Sequence, residues 1–318
     1  MNFKIAFWLL TLWIIPALAS ACGNAQIATY PNKPITYYIC FDPGGPSDRE
    51  ARRQQPIIEE ELKQKARIEY KVGGGGAVCW SEVSKAPADG YTIVGINIPH
   101  IILQPILQDA GYQTSDLEPI AIFQGTTMGF AVLKDSSYQT LEDLLNDAKS
   151  SPEKILVGGV GTFTGHHFAT LRLQNLTNSQ FTYVPFTGAA QEMPEFLGGH
   201  VDAVFANSDD LLKYKNEIRV LAFATENRYP RFPNSPTFKE QNLDLVMGIE
   251  RGVAVAKGTP AETIQILEAV FMKVANDPAI KEQLVREGYI PIALGHNQSK
   301  AYIAKMTQIY SELVNEIQ

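Results

Sequence analysis

Asp42-Pro43-Gly44-Gly45-Pro46-Ser47-Asp48 is the first of three glycine-rich turns that decide how this chain folds. The second turn covers residues 158–165 and the third covers residues 185–190. Each turn follows a predicted strand and precedes a predicted helix. Such a turn leaves backbone N–H groups free beside the positive end of the helix dipole, which favours an anion such as a carboxylate. Three of these turns facing one cleft would form a pocket for a small acid.

Strand and helix patterns alternate on both sides of these turns. β-rich runs at residues 35–41, 68–72 and 91–96 alternate with helical patterns at 49–65 and 77–85. Similar alternation continues through the second half, and the chain ends in three helical patterns. This order predicts an α/β fold with parallel-rich sheets and flanking helices. Ligands of such sheets bind beyond the carboxyl ends of the strands, where the glycine turns lie.

A change of pattern near the middle of the chain predicts two lobes. Two apolar runs at residues 118–123 and 129–133 are separated by a short polar segment, Gln124-Gly125-Thr126-Thr127. We expect the chain to pass between lobes near residues 122–130 and to return near 248–253, with hinge motion at these two crossings. The predicted division is a signal peptide at 1–21, lobe 1 at 22–124 and 252–318, and lobe 2 at 125–251.

The first 21 residues have the pattern of an export signal. Lys4 precedes an apolar stretch at residues 5–18, and Ala19-Ser20-Ala21 fits a cleavage site with small residues. The stretch is shorter than the ~20 residues that a membrane-spanning helix needs. The sequence therefore predicts a periplasmic protein. Cys22 follows the cleavage motif, so lipidation there would tether the mature protein to a membrane.

Cys40 and Cys79 are the other two cysteines of the chain. An oxidising compartment permits a disulfide between them, since they fall on elements that could be neighbours in a parallel sheet. Two separately buried thiols are the alternative, and the general tendency of cysteine to be buried favours this second interpretation.

Composition argues against several classes of protein. The chain is 45% hydrophobic and has a formal net charge of −7, which disfavours nucleic acid as a partner. The glycine spacing at residues 158–165 does not match a dinucleotide fingerprint, and neither a P-loop nor a nucleophile elbow is present. His166 and His167 are adjacent and so point to different sides of a helix, which argues against a metal site. We expect no cofactor and no catalytic residues.

The ordered motifs of the chain resemble those of the substrate-binding component of the tripartite tricarboxylate transporters, the Bug family of periplasmic solute-binding receptors. The resemblance covers about residues 30–318, and each motif is weak by itself. The matching segments are 30–35, 43–48, 73–77, 88–92, 184–188, 197–202, 232–237 and 257–260. The resemblance implies a two-lobed, type II-like periplasmic-binding-protein fold that closes on a small organic acid.

The resemblance also implies which residues line the cleft. In that family the turns of both lobes hold carboxylates through backbone N–H groups, hydroxyl groups and water. Carried onto this sequence, the ligand-binding residues are Gly44, Gly45, Ser47 and Asp48 in lobe 1, and Gly161, Thr162, Thr164, His167, Phe186, Thr187, Gly188, Ala189, Asp202 and Asn207 in lobe 2. His100 matches a family histidine that is expected to be structural or to lie at the rim of the cleft.

The sequence departs from the family pattern at the cleft itself. Asp42 stands where relatives carry proline and adds a negative charge beside an expected anion site. Glu250-Arg251 stands where relatives often have aromatic residues. Arg251 is therefore a further candidate ligand residue, since a guanidinium binds a carboxylate through two hydrogen bonds. The alternative, which the sequence favours, is that Arg251 pairs with Glu250 or Asp42 on the surface.

Three functions remain open from sequence. The leading hypothesis is an extracytoplasmic solute-binding protein, acting as a monomer, that captures a small organic acid and delivers it to membrane permease subunits. A sensor that binds the same acid and docks on a receptor kinase is the second. An exported enzyme acting on a carboxylate ester or amide is the third, and it would need a nucleophile and a base within reach of each other.

Overall fold

The computed structural model describes residues 30–317 of the 318-residue chain. The predicted signal peptide and Cys22 lie outside the described residues. Among residues 30–317, none of the helices combines the length and the apolar character needed to cross a membrane.

Ten strands and ten α-helices make up the described part of the chain. In chain order they are β1 (Ile35–Ile39), α1 (Pro46–Leu62), β2 (Ala66–Tyr70), α2 (Ala77–Val83), β3 (Thr92–Ile98), α3 (His100–Leu107), β4 (Leu117–Leu133), α4 (Leu141–Ser150), β5 (Leu156–Val160), α5 (Gly165–Thr177), β6 (Thr182–Phe186), α6 (Ala189–Leu197), β7 (Ala203–Asn207), α7 (Ser208–Lys213), β8 (Ile218–Phe223), β9 (Gly248–Ala256), α8 (Ala261–Asn276), α9 (Pro278–Glu287), β10 (Ile290–Leu294) and α10 (His296–Asn315).

The sheet consists of two parts that share strand β4. In lobe 1 the strands β2, β1 and β3 are parallel, and β9 joins them as an antiparallel neighbour of β3. In lobe 2 the strands β6, β5 and β7 are parallel. The first half of β4 pairs with β9 and β10, and its second half pairs with β7 and β8, always antiparallel. The two-lobed α/β fold predicted from sequence is confirmed.

Strand β4 corrects the prediction of two separate apolar runs. It is continuous over 17 residues, including the polar segment that separates the two predicted runs. Gln124, Thr126 and Thr127 are buried in the middle of this strand, with at most 4% of their surface exposed. These polar residues are tolerated because the strand continues its pairing with β9 through them. One uninterrupted strand therefore passes from lobe 1 to lobe 2.

Other local differences have simple causes. Helix α1 begins at Pro46, three residues before the predicted start, because proline is well suited to the first helical turn. Helices α3 and α7 and strand β10 were not predicted. They are short, at 8, 6 and 5 residues, and α3 contains Pro105, so none shows a clear periodic pattern.

A disulfide links Cys40, at the end of β1, to Cys79 in α2. The favoured interpretation of two separate thiols is therefore wrong. The two sulfur atoms meet because β1 lies beside β3, and the indole of Trp80 on α2 donates a hydrogen bond to the Gly95 carbonyl of β3 at 2.9 Å. Because Cys40 lies two residues before the first glycine turn, the disulfide holds the start of that turn close to helix α2.

Helix α10 contacts both lobes. It packs on β10 and α3 in lobe 1 and reaches α5 in lobe 2. In lobe 2 the Tyr310 and Phe168 rings lie 5.9 Å apart, and the Asn175 side chain donates to the Glu316 carbonyl at 3.2 Å. The carboxyl-terminal helix is thus a second connection between lobes, in addition to the strands.

Candidate functional site

The first glycine turn lies at the cleft between the lobes. Gly44 adopts the left-handed region at φ +83, and Gly45 is the N-cap of α1. Because Pro46 at the first helical position has no N–H, the free donors of this 17-residue helix are the Ser47 and Asp48 N–H groups, at the positive end of its dipole. Gly45, Pro46 and Ser47 line a cavity there. The turn that the sequence predicts as an anion-binding element therefore lies at this cavity.

Asp48 stabilises this turn and does not line the cavity. Its side chain is 4% exposed and accepts a hydrogen bond from the Gly44 N–H at 2.7 Å. Its second oxygen accepts from the Tyr70 hydroxyl and forms an ion pair with Arg52. The carboxylate is thereby used within lobe 1. The structure places Gly44 and Asp48 behind the site, where they shape the turn.

The second and third turns close the cleft by contacting lobe 1. Gly161 is at φ +65, and a Cβ atom there would lie 2.7 Å from the Cα of Gly75 in the opposite lobe. The Gln104 side chain donates across the cleft to the Thr162 carbonyl at 2.7 Å. In the third turn the Thr187 hydroxyl donates to the Asp42 carboxylate, and Gly188 packs against Asp42. Asp42 thus joins the lobes at the rim of the cleft.

The cavity enclosed by these contacts is small, about 20 Å³. That is room for roughly one water molecule. Its lining comes from lobe 1, lobe 2 and strand β9 together. The lining residues are Phe41, Gly45, Pro46, Ser47, Asn97 and His100 from lobe 1, Val160, His166, Ala189 and Asn207 from lobe 2, and Ile249 and Arg251 from β9.

Arg251 is the one residue with a permanent charge in this lining. It is 3% exposed and forms no ion pair with a carboxylate of residues 30–317, so the favoured surface pairing with Glu250 or Asp42 is wrong. Its Nη1 donates to the Thr126 hydroxyl at 3.2 Å, and its Nε has no hydrogen-bond partner in the described part of the chain. A buried guanidinium with unused donors is a strong binding group for a carboxylate.

A chain of hydrogen bonds forms the floor of the cavity. Arg251 donates to Thr126, whose hydroxyl lies 3.2 Å from the Asn207 Oδ1. The same oxygen lies 3.3 Å from His166 Nε2. Because His166 Nδ1 accepts from the Val160 N–H, the proton of the neutral ring must be on Nε2, which donates to Asn207. Groups from both lobes and the connecting strands are therefore oriented by one network.

The histidines of the cavity are neutral at pH 7. Burial lowers the pKa of His166 to about 4 and the pKa of His100 well below its ordinary value. The nearby Arg251 lowers both pKa values further. His100 keeps an unpartnered Nδ1 among the described residues and packs edge-to-face on Phe41 at 5.8 Å. The positive charge of the site thus comes from Arg251 and the α1 dipole.

Glu50, a buried carboxyl group that interacts electrostatically with Arg251, is largely protonated at pH 7. Burial raises the pKa of Glu50 to about 8, although Arg251 and Arg53 act against this shift. Burial and the neighbouring Asp209 also raise the pKa of Asp210. A neutral Glu50 cannot compete for the guanidinium as a carboxylate would. The charge of Arg251 therefore remains available to an anion in the cavity.

The structure brings five of the predicted site residues to the cavity: Gly45, Ser47, Ala189, Asn207 and Arg251. Gly161, Thr162, Thr164, Thr187 and Gly188 lie in the turns that close the cleft, outside the lining. His167 is outside as well: its Nδ1 accepts from the Phe163 N–H, and its ring packs on Tyr183 at 4.3 Å. Phe186 packs in the lobe 2 core.

Asp202 lies at the opposite end of the strands from the cleft. It is exposed, and its carboxylate accepts from the Leu156 N–H at the start of β5. Phe41, Asn97, Val160, His166 and Ile249 line the cavity and were not among the predicted site residues, and His100, expected to be structural or at the rim of the cleft, lines it too. Phe41 and His166 are immediate neighbours of the turns, Val160 lies within the second turn, and Asn97 and His100 lie near the end of β3, so position at a strand end was the available signal.

A two-lobed α/β fold with a cavity between lobes, lined by a helix N-terminus and a buried guanidinium, defines a periplasmic-type binding protein. A family model described as the tripartite tricarboxylate transporter family receptor matches residues 51–318. This chain belongs to that family, as the resemblance in sequence predicted. The family consists of solute-binding receptors.

Individual relatives agree with this assignment over nearly the whole chain. A UPF0065 protein from the gbd 5' region of Cupriavidus necator is 27% identical, covering 94% of this chain and 92% of its own length. Protein BugT of Bordetella pertussis is 24% identical, covering 97% and 96%. Both relatives are therefore close to this chain in length.

Solved structures share the fold. Periplasmic binding protein BugD has a TM-score of 0.84 at 23% identity, covering 91% of this chain and 98% of its own. An R. palustris protein solved with adipate has a TM-score of 0.83 at 23% identity, covering 91% and 98%. MatC from Rhodopseudomonas palustris, solved with malate, has a TM-score of 0.82 at 21% identity, covering 91% and 100%.

Proposed function

We propose that this protein is a periplasmic receptor that captures a small organic acid between its lobes and delivers it to the membrane subunits of a tripartite transporter. The observation that carries this proposal is the buried Arg251, the sole permanent charge in the cavity lining, with unused donors beside the N-terminus of α1. Membership of the family supports the link to a transporter. Two neighbours of the same fold hold adipate and malate, which are both dicarboxylates.

The geometry supports a specific binding mode. One ligand carboxylate is held by Arg251, the Ser47 hydroxyl and the first N–H groups of α1. Asn207 and Asn97 hydrogen-bond to other polar groups of the ligand, while Phe41 and Ile249 contact its carbon chain. The turns at Gly161 and Thr187 close over it without contacting it. The side chains of the cavity supply binding groups, and we expect the acid to be released unchanged.

Capture requires motion of the lobes. A cavity of about 20 Å³ has no room for an organic acid, so ligand entry must separate the turns that meet across the cleft. Strands β4 and β9 are the connections that would bend, near residues 122–130 and 248–253. We propose the division into lobe 1 at 22–124 and 252–318 and lobe 2 at 125–251, with α10 in contact with both, and export by the segment at 1–21.

A thermal-shift screen tests the proposal. Purified protein, unfolded and refolded to remove any carried ligand, is heated with mono-, di- and tricarboxylates, aromatic acids and amino acids. A ligand at about 100 times its dissociation constant stabilises the folded state by about 2.7 kcal/mol. The matched control for each active acid is its carboxamide, which has the same shape and no charge. A rise in Tm for one class of acid, absent with its amide, supports the proposal, whereas equal rises or none reject it.

A further inference from the structure

We propose that a basic groove on the side of the molecule is a docking surface. The partner is an acidic segment of the membrane subunits of the transporter. This inference rests on the proposed function for the identity of the partner. The groove, about 800 Å³ in volume, is bounded by α1 and α9 of lobe 1 and by α7 of lobe 2. Its cations are Arg49, Arg52, Arg53, Lys213 and Arg286.

Most of the exposed charged groups that line the groove are cations. Five cations and two carboxylates, Asp209 and Glu287, line it. Asp209 is 6% exposed, and the neighbouring Asp48 and Asp210 are similarly buried. By contrast, the Arg52 and Arg286 side chains are 58% and 67% exposed. Arg53 is the exception, because its side chain is 10% exposed and that of its partner Glu287 is 35% exposed. A partner entering the groove therefore meets Arg52, Arg286 and the exposed Lys213, with Glu287 as the more exposed carboxylate of the lining.

The buried carboxylates orient this positive surface without covering it. Asp48 binds the Nε of Arg52 at 2.8 Å, and Asp209 binds Arg49 at 2.6 Å. Lys213 forms no ion pair with any carboxylate of residues 30–317, and Arg286 has only the exposed Glu282, 3.9 Å away. The chain as a whole carries −7, so a concentration of cations here runs against its overall charge. Charge complementarity thus selects an acidic partner.

The two walls of the groove belong to different lobes and are joined by hydrogen bonds. The Tyr289 hydroxyl donates to Asp209 at 2.7 Å, and the Ser208 hydroxyl donates to the Gly288 carbonyl at 2.8 Å. Asp209 follows the cavity residue Asn207 by two positions, and Arg49 follows Ser47 by two. Separation of the lobes at the cavity would therefore separate these walls. An acidic segment that spans both walls would bind the closed receptor in preference to the open one.

Binding of labelled hexaglutamate, followed by fluorescence anisotropy, tests this surface. The variant Lys213→Glu/Arg286→Glu reverses one cation on each wall and spares every ion pair with a buried carboxylate. The matched control is Lys149→Glu/Lys305→Glu, two exposed lysines on α4 and α10 with the same change in net charge. We expect the groove variant to bind hexaglutamate at least tenfold more weakly than wild type, and the control to change less than twofold.

Salt dependence and acid binding complete the test. Affinity for hexaglutamate should fall steeply from about 0.01 M to about 1 M salt, where the Debye length shrinks from about 30 Å to about 3 Å. The groove variant should keep the thermal shift that a bound acid causes in wild type, which separates this surface from the cleft. Wild-type affinity equal to that of the groove variant, or an equal loss in the control, would overturn the proposal. Suppose that no acid binds but hexaglutamate binding is lost only in the groove variant. The groove is then supported as a docking surface, and the transporter is rejected as its partner.

Discussion

Arg251→Gln tests the central claim about the cleft, that one buried guanidinium carries the affinity for an acid. Glutamine removes the charge and the two-pronged contact with a carboxylate. Because its amide ends where the Arg251 Nε lies, it also gives up the hydrogen bond from Nη1 to Thr126. Hydrogen bonds to charged groups are worth about 1.5–3 kcal/mol. A loss of about 2.7 kcal/mol corresponds to roughly a 100-fold weaker dissociation constant.

The expected thermal shift follows from this loss. At an acid concentration of about 100 times the wild-type dissociation constant, wild type gains about 2.7 kcal/mol of stability. The variant at the same concentration is at its own dissociation constant and gains only about 0.4 kcal/mol. A chain of this size shifts its Tm by about 2–4 °C for each kcal/mol. Wild type should therefore rise by about 5 °C or more and Arg251→Gln by about 1 °C.

Two further variants make the result interpretable. Arg67→Gln removes an exposed arginine on β2 and should behave as wild type. Arg251→Lys keeps a charge without the planar fork and should lie between wild type and Arg251→Gln. Each shift is measured against the ligand-free Tm of the same variant, because Arg251 also lowers the pKa of Glu50 and Asp210. Affinity of Arg251→Gln within twofold of wild type, in titration calorimetry, would refute the assignment.

Three other predictions follow from the contacts around the cleft. Gly161→Ala places a Cβ 2.7 Å from the opposite lobe and should weaken acid binding at least tenfold, whereas Gly199→Ala, with the same positive φ and open space, should cost only about 1 kcal/mol of stability and no affinity. Burial raises the pKa of Glu50 to about 8, so the folded protein keeps a proton that the unfolded chain releases, and stability falls as pH rises from the ordinary carboxyl range to about 8. Glu50→Gln should flatten this fall in urea melts, and a slope equal to wild type would contradict the shift. Because 39 positions separate its cysteines, loss of the disulfide in Cys40→Ala/Cys79→Ala should lower the free energy of unfolding by about 4 kcal/mol, and a loss below about 1 kcal/mol in denaturant titration would argue against the linkage.

The sequence predicts the fold well because the fold depends on local patterns. Alternating strands and helices predict an α/β protein, and the capping residue Thr140 correctly places the start of α4, where its side chain accepts from the Asp143 N–H. The sequence does not predict the continuity of β4. A polar run in a strand usually marks a loop, and only the partners supplied by β9 make Gln124, Thr126 and Thr127 acceptable inside the sheet.

The site was predictable only at the level of its turns. A glycine at a strand end shows that the backbone needs freedom, but it does not show what lies across the cleft. At Gly45 the neighbour is the cavity, while at Gly161 the neighbour is the backbone of the opposite lobe. Likewise, the pair His166 and His167 has one member in the cavity and one outside it, because adjacent helical positions face different directions. Which member faces inward depends on where α5 begins, a boundary that sequence patterns define only to within a few residues.

The position of Arg251 in the cavity could not be predicted from its sequence context either. On the sequence alone, a Glu-Arg pair has a simple interpretation as a surface ion pair. In the structure β9 is an inner strand between β3 and β4, and its residues 251–256 are all buried. Burying a guanidinium without a carboxylate partner costs free energy. An anion in the cavity would offset that cost. The missing carboxylate partner among residues 30–317, more than the arginine itself, is therefore the observation that supports the proposed binding site.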